Sequence, residues 1–584
     1  MNIQQRTELM RTALGNEKAD LVIANGTLVN VYTGELLEGY GVAVRGERIA
    51  YVGKDIQHTV GPHTDVIDAT GKTMVPGFID SHTHLSIFCP ASEVLRYIMR
   101  GGTTTIVTEL IEMYFSMGYE GVIEYLVSCK DQPIRIFGVA PPMITLSTRV
   151  REKEINKEQL RKLLQRDDIL GLGEAYWLSV VGEDRRLLEL IEETLKAGKI
   201  VAGHSAGAKG NKLAAYVASG VSSCHEPITA EEVIERLRLG IYVQAREGET
   251  RQDLETIAGI NYKNMNLSQL LLVTDTASLK QMVEKGYMEV VLQKAIDSGF
   301  EPITAIQMAT INAARYLNLD DRIGGIAPGK YADIVIIPDL RKINAEYVIS
   351  NGQVIARDRE LLVQPREHTF PDWTRQSIRP AKKFTPDDFM IRVTGELDAV
   401  TVRVIEQVEE LVTQEAHISV PLSEGMIKSD PERDLLKISC IDYQTNPVKQ
   451  FVGLIKGFKM KRGAIATTMA WDLTNIIALG ADEADLALAV NRVVEMRGGA
   501  VVCADNRITA EIPLPVGGYI SDLPIEEVLQ LNEDIQQAAA DLGSPLINTH
   551  LTLMTLTSPA IPFFRICEEG LFNIRTNSKV ELIV

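Results

Sequence analysis

The chain has 584 residues, 45% of them hydrophobic and 24% charged, which is enough to bury a large core in two or three domains and too apolar for intrinsic disorder. With 78 acidic against 60 basic residues its formal charge is -18, so no nucleic-acid partner is expected. The opening MNIQQRTELMRTALGNEKAD has no apolar leader, and no later run has the length of a bilayer span; a soluble cytoplasmic protein with no membrane partner is expected. Six cysteines are scattered singly without a CxxC pair, against both a disulfide framework and a thiolate zinc site. Any metal must then sit on histidine and carboxylate.

Residues 1–72 contain short alternating segments broken by Gly, Asn and Asp (ADLVIANGTLVNVYTGELLEGYGVAVRGERIAYVGKD), the pattern of a small β module. From 73 to 325 the pattern changes. Eight short apolar runs, TMVPGFID, TTTIVTE, IRIFGVA, DILGLGEA, KIVAGH, GVSSCH, GIYVQARE and LLLVTD, recur with helical stretches such as DRRLLELIEETLKAG between them. Buried parallel strands with crossover helices give that pattern, and eight of them predict a (β/α)8 barrel of the α/β class. Residues 326–363 return to strand and turn character, and their ADIVII echoes the early ADLVIA. The β module is therefore expected to be split, with the barrel inserted in it. A Pro-rich linker at 364–387 and a C-terminal α+β domain at 388–584 complete the expected order.

Chemistry in such a barrel gathers where the strands end. The first run ends in DSHTH, and residues two apart on a strand share a face, so His82 and His84 can reach one ion. Further along, the ends carry Glu109 and Glu112, Glu174, His204, His225 with Glu226, Arg246 with Glu247, and Asp275. A lone HxH on a strand is more often a half-exposed surface pair. Here four of the nine histidines fall at strand ends, which shifts the reading to a ligand set. Glu109 is read as solvated and Cys224 as a buried filler. Arg246 and Glu247 either pair with each other or touch substrate, and Glu226 is a further candidate for substrate binding. The candidate ligands exceed the three of a usual mononuclear site, so two divalent ions are expected, with zinc, manganese and iron all compatible with the donors. Such a pair would make a nucleophile of water near neutral pH.

VPGFIDSHTH, the last-strand TD and IAPGKYADIVII together resemble the amidohydrolase superfamily. GTTTIVTELIE, HSAGAKGNKLAAYVASGVSSCHEPITAEEVIERLRLGIYVQAREG and, near the C-terminus, GLIKGFKMKRGAIATTMAWDLTNIIALGADEADLALAVNRVVEMRGGAVV narrow the resemblance to the bacterial adenine deaminases over nearly the whole chain. That resemblance implies hydrolysis of adenine to hypoxanthine and ammonia with manganese, or iron, as the metal. It also implies His82, His84, His204, His225 and Asp275 as ligands, and Glu112 as the bridging ligand with Glu174 as its substitute. Several positions depart from the family: Asp275 is followed by Thr276 rather than a second aspartate, Ile111 stands for a histidine, and Trp471 and Thr474 replace two more. In the expected mechanism Asp275 shuttles the proton from water to the leaving amine, and Glu174 donates to the ring nitrogen beside the attacked carbon. Hydrolysis of another aminopurine, a pteridine or a cyclic amide on the same site is the alternative. A small heterocyclic substrate and a homo-oligomer are expected.

Overall fold

The computed structural model describes residues 1–260, 265–380, 382–395, 397–409 and 411–584. Eight parallel strands form the central barrel: β1 (Phe78–Thr83), β2 (Thr103–Thr108), β3 (Arg135–Ala140), β4 (Ile169–Tyr176), β5 (Ile200–His204), β6 (Ser223–Cys224), β7 (Tyr242–Arg246) and β8 (Leu270–Val273). β1 to β5 pair in sequence, as do β6 to β8. The two arcs meet where Ser222 N–H donates to the Val201 carbonyl at 2.9 Å, and where Asp275 N–H donates to the His82 carbonyl at 3.1 Å. The second junction returns the last strand to the first. It therefore brings Asp275 beside His82 and His84 through backbone bonding alone.

Nearly every strand residue is buried, because a parallel sheet is covered on both faces. The crossover helices start and stop on local signals. Asp184 accepts from Leu187 N–H to begin Arg185–Lys196, and Gly198, at φ +69°, follows its end. Thr229 accepts from Glu232 N–H to begin Ala230–Arg238, and Gly240, at φ +76°, turns the chain into β7.

The run TMVPGFID does not form a single strand. Thr73–Pro76 belongs to the flanking sheet, and the barrel strand starts at Phe78. Thr73–Pro76 lies between Leu21–Asn30, paired parallel, and Ile334–Ile337, paired antiparallel. The two strands whose sequences echo one another, ADLVIA and ADIVII, thus contribute its two neighbours in one nine-stranded sheet.

C-terminal to these, an eight-stranded sheet contains Leu436–Asp442, Ala464–Thr467, Asn475–Gly480 and Gly499–Ala504, with helices Glu483–Glu495 and Ile525–Asp541 packed against it. The loop between Thr467 and Asn475 reaches the barrel mouth. It is pinned there by Trp471 N–H on the Met554 carbonyl (3.1 Å) and by Thr557 Oγ1 on the Trp471 carbonyl (2.6 Å). No helix among the described residues is long and apolar enough to cross a membrane.

Candidate metal centre

Four imidazoles and two carboxylates converge at the C-terminal rim of the barrel. Their ligand atoms fall into two groups: His82, His84, Glu174 and Asp275 in one, and Glu174, His204 and His225 in the other. Glu174 belongs to both. Its Oε1 lies 3.4 Å from His82 Nε2, 3.6 Å from His84 Nε2 and 3.3 Å from His225 Nε2, while Asp275 Oδ1 lies 3.6 and 3.7 Å from the two first-strand nitrogens. These separations exceed a charge-assisted hydrogen bond. They match the edge of a tetrahedron of donors each about 2.1 Å from a shared ion, which is about 3.4 Å.

Other observations fit a cation here. His82 Nε2 is buried without a hydrogen-bond partner, as is His204 Nδ1. Glu109, Glu112, Glu174, Glu226 and Asp275, all buried, gather around the imidazoles, and Arg246 is the guanidinium that reaches Asp275. Burial lowers His82, yet Asp275 and Glu174 outweigh it and push the imidazole up to about 10, a measure of how strongly these acids call for positive charge. At His225 burial prevails and lowers the ring to about 3, leaving the neutral form that binds metals. The donor set has imidazole and carboxylate and no thiolate, since all six cysteines are buried elsewhere and free.

Asp275 is fixed from behind. Thr250 Oγ1 donates to its Oδ2 at 2.8 Å and Arg246 Nη1 lies 3.4 Å from the same oxygen, so Oδ1 is left facing the histidines. Against its burial, His82, His225 and Arg246 hold this carboxyl well below the ordinary carboxylate range. Arg246 is braced in turn by Asp253 at 3.0 Å; of the two readings of Arg246 and Glu247, pairing with each other gives way to pairing of Arg246 with Asp253 and Asp275. Glu226 accepts from Ser205 N–H (2.5 Å) and Oγ (3.1 Å) and lies 3.0 Å from His225 Nε2. Despite burial, the charges of His204, His225 and Arg246 keep it down at about 2.

Three expectations change. Glu174, expected to donate a proton to the ring nitrogen, lies among His82, His84 and His225, which despite its burial hold its carboxyl well below the ordinary range, so it has no proton to give. Glu112 joins neither group: it opens the helix Ile111–Cys129, and its Oε1 bonds His84 Nδ1 at 2.5 Å while Oε2 accepts from Ser86 Oγ at 3.0 Å. It therefore grips the rear of the His84 ring and turns Nε2 inward, whereas Glu174 occupies the shared position. Glu109, expected to be solvated, is only 1% exposed. Its Oε1 lies 3.6 Å from His82 Nδ1, and burial together with the charge of Glu174 raises it to about 8. Sequence reasoning also passed over Tyr176 and Asp472. Tyr176 follows Glu174 by two on β4 and so shares its face, a signal that was available; Asp472 comes from the C-terminal domain and had none.

Arg246, Glu226, Tyr176, Trp471 and Asp472 line, with His84, Glu174, His204, His225 and Asp275, a cavity of about 330 Å³. The Trp471 ring stacks over His84 with centroids 5.9 Å apart, closing one side.

Residues 73–355 match the amidohydrolase family, and residues 410–578 match the adenine deaminase C-terminal domain. Among curated proteins, the chain is 33% identical over 583 residues to an adenine deaminase of Clostridium botulinum (strain Langeland / NCTC 10281 / Type F), covering 99% of this chain and 97% of that one. It is 34% identical over 583 residues to that of Moorella thermoacetica (99% and 98%) and 34% identical over 591 residues to that of Paracoccus denitrificans (100% and 98%).

Proposed function

The chain belongs to the adenine deaminase family of amidohydrolases, and we propose that it hydrolyses adenine to hypoxanthine and ammonia with two divalent ions, manganese in the first instance. The observation that supports this reading best is the position of Glu174, whose carboxylate belongs to both donor groups. One ion would be held by His82, His84 and Asp275, the other by His204 and His225, with Glu174 between them. Bound there, such ions supply Lewis acidity, which favours ionised water and an electron-poor carbon at neutral pH.

The protein's own groups supply the rest. Asp275 is ionised, aimed by Thr250 and Arg246, and faces the cavity through Oδ1. It takes a proton from the attacking water and passes it to the C6 amine, which leaves as ammonia while the ring keeps the oxygen. Glu112 orients the His84 imidazole through Nδ1, Glu109 stands 3.6 Å behind His82 Nδ1, and Glu226 lies 3.0 Å from His225 Nε2, the nitrogen that also faces Glu174. Trp471 covers His84 and reduces access of bulk water to that side. The test is to load the purified protein with manganese, supply adenine and follow ammonia. Release of one ammonia per adenine consumed supports the reading; none from fully loaded protein rejects adenine as the substrate.

A further inference from the structure

Asp472, a cavity-lining carboxylate from the C-terminal domain, is left unused by the mechanism above. It is 4% exposed and lines the same cavity as Glu174, His204 and His225. Tyr176 Oη donates to it, 3.1 and 3.0 Å from its two oxygens, and Ser558 Oγ donates to Oδ2 at 2.5 Å. These hydroxyls fix its orientation but bring no charge, and the charges it feels most, those of Glu174 and Glu112, have its own sign. Burial accordingly raises its carboxyl to about 7. Among the described residues its Oδ1 has only the shared Tyr176 hydroxyl as partner and can accept a further donor.

Its distance from the donor groups is set by Tyr176. That side chain leaves β4 on the same face as Glu174, packs on His204 at 5.2 Å between ring centroids, and ends at Asp472. The carboxylate therefore stands about one aromatic side chain beyond the ligands, the span of a flat two-ring heterocycle whose far end carries an N–H. The backbone at Asp472 is left-handed, φ +62°, a conformation that Asp and Asn tolerate and that turns the side chain inward from the pinned loop.

We propose that Asp472 is a specificity-determining residue, contributed by the C-terminal domain, which accepts a hydrogen bond from the imidazole-ring N–H of a free purine base and so discriminates against N-substituted purines, nucleosides included. The assignment rests on the proposed adenine hydrolysis and adds the group that reads the far edge of the base. Oδ1 is the oxygen available, since Ser558 holds Oδ2 and Tyr176 is shared between the two.

The experiment measures the affinities of the manganese-loaded protein and its Asp472→Asn and Asp472→Ala variants by stopped-flow fluorescence within the first turnover, before adenine is consumed, for adenine, 7-methyladenine and 9-methyladenine, the last two lacking any ring N–H. Metal content and melting temperature are checked alongside. The expected result is that the unaltered protein binds adenine at least tenfold more tightly than either methyl derivative. Both variants should weaken adenine binding about tenfold or more while leaving the methyl derivatives within about twofold. Equal affinity of the unaltered protein for all three ligands overturns the role of Asp472, as does an equal loss on all three in metal-replete, folded variants. Ammonia release from adenine is read separately on the unaltered protein: its absence rejects the proposed reaction, and absence of adenine binding as well rejects both.

Discussion

Replacing Glu174 by Gln keeps the shape of the side chain and removes the charge that both donor groups share. Three histidine nitrogens lie 3.3 to 3.6 Å from its Oε1, so the loss falls on both ions at once. Replacing Glu112 by Gln instead weakens the hold on one ring, His84, from behind. Changes of that supporting kind cost about 10–100-fold in metal affinity. Glu174→Gln must exceed this, at least about 100-fold, or about 2.7 kcal/mol per ion. Titration with manganese against a competing chelator measures both variants. Glu112→Gln should still fill two sites at saturating metal, with one of them weakened, while Glu174→Gln should hold fewer than two ions at the same concentration. If Glu112→Gln loses more metal than Glu174→Gln, the shared position has been assigned to the wrong carboxylate.

Other consequences follow from the same geometry. Asp275→Asn, in which the amide keeps the shape and tolerates φ +61°, should lower kcat by about 10²–10⁴-fold on adenine, with steady-state kinetics as the measure; retention of near-normal kcat would remove its proton-carrying role. Gly203→Ala places a methyl 2.3 Å from Tyr216 Oη and 2.5 Å from the Ser223 carbonyl, and should cost about 1–3 kcal/mol in chemical denaturation. His550 is buried against Thr467 and its imidazole is lowered to about 4 by that burial. Its folded value lies below its unfolded one, so its contribution is present above about pH 6.5 and is lost as pH falls through about 4. Over that window the unaltered protein should lose about 3 kcal/mol more stability than His550→Gln, measured by urea denaturation. A pH-independent difference between the two would contradict the burial argument.

Much of this was legible in the chain because local rules carried it. Continuous apolar runs separated by capped helices gave the parallel strands, and the DSHTH, GLGEA, AGH, SCH and VTD endings put ligand types where barrel strands stop. Two limits were physical. Thr73–Pro76 and Phe78–Thr83 are both buried throughout and only Gly77 separates them, so only the tertiary pairing reveals that the chain changes sheets there. Glu109 and Glu112 sit three residues apart around a strand end and a helix start, where burial depends on neighbours brought from β4 and β1. Periodicity along one segment does not encode those neighbours, which is why Glu109 reads as solvated and Glu112 as a ligand. Asp472 is a sharper case: it arrives from almost 200 residues beyond Asp275, on a loop whose position depends on Met554 and Thr557.

The most direct test of the account is anomalous diffraction from crystals of the manganese-loaded protein. The account predicts two peaks, one among His82, His84 and Asp275 and the other beside His204 and His225, with the Glu174 carboxylate between them. A single peak, or a pair bridged by Glu112 with Glu174 turned away, would contradict it.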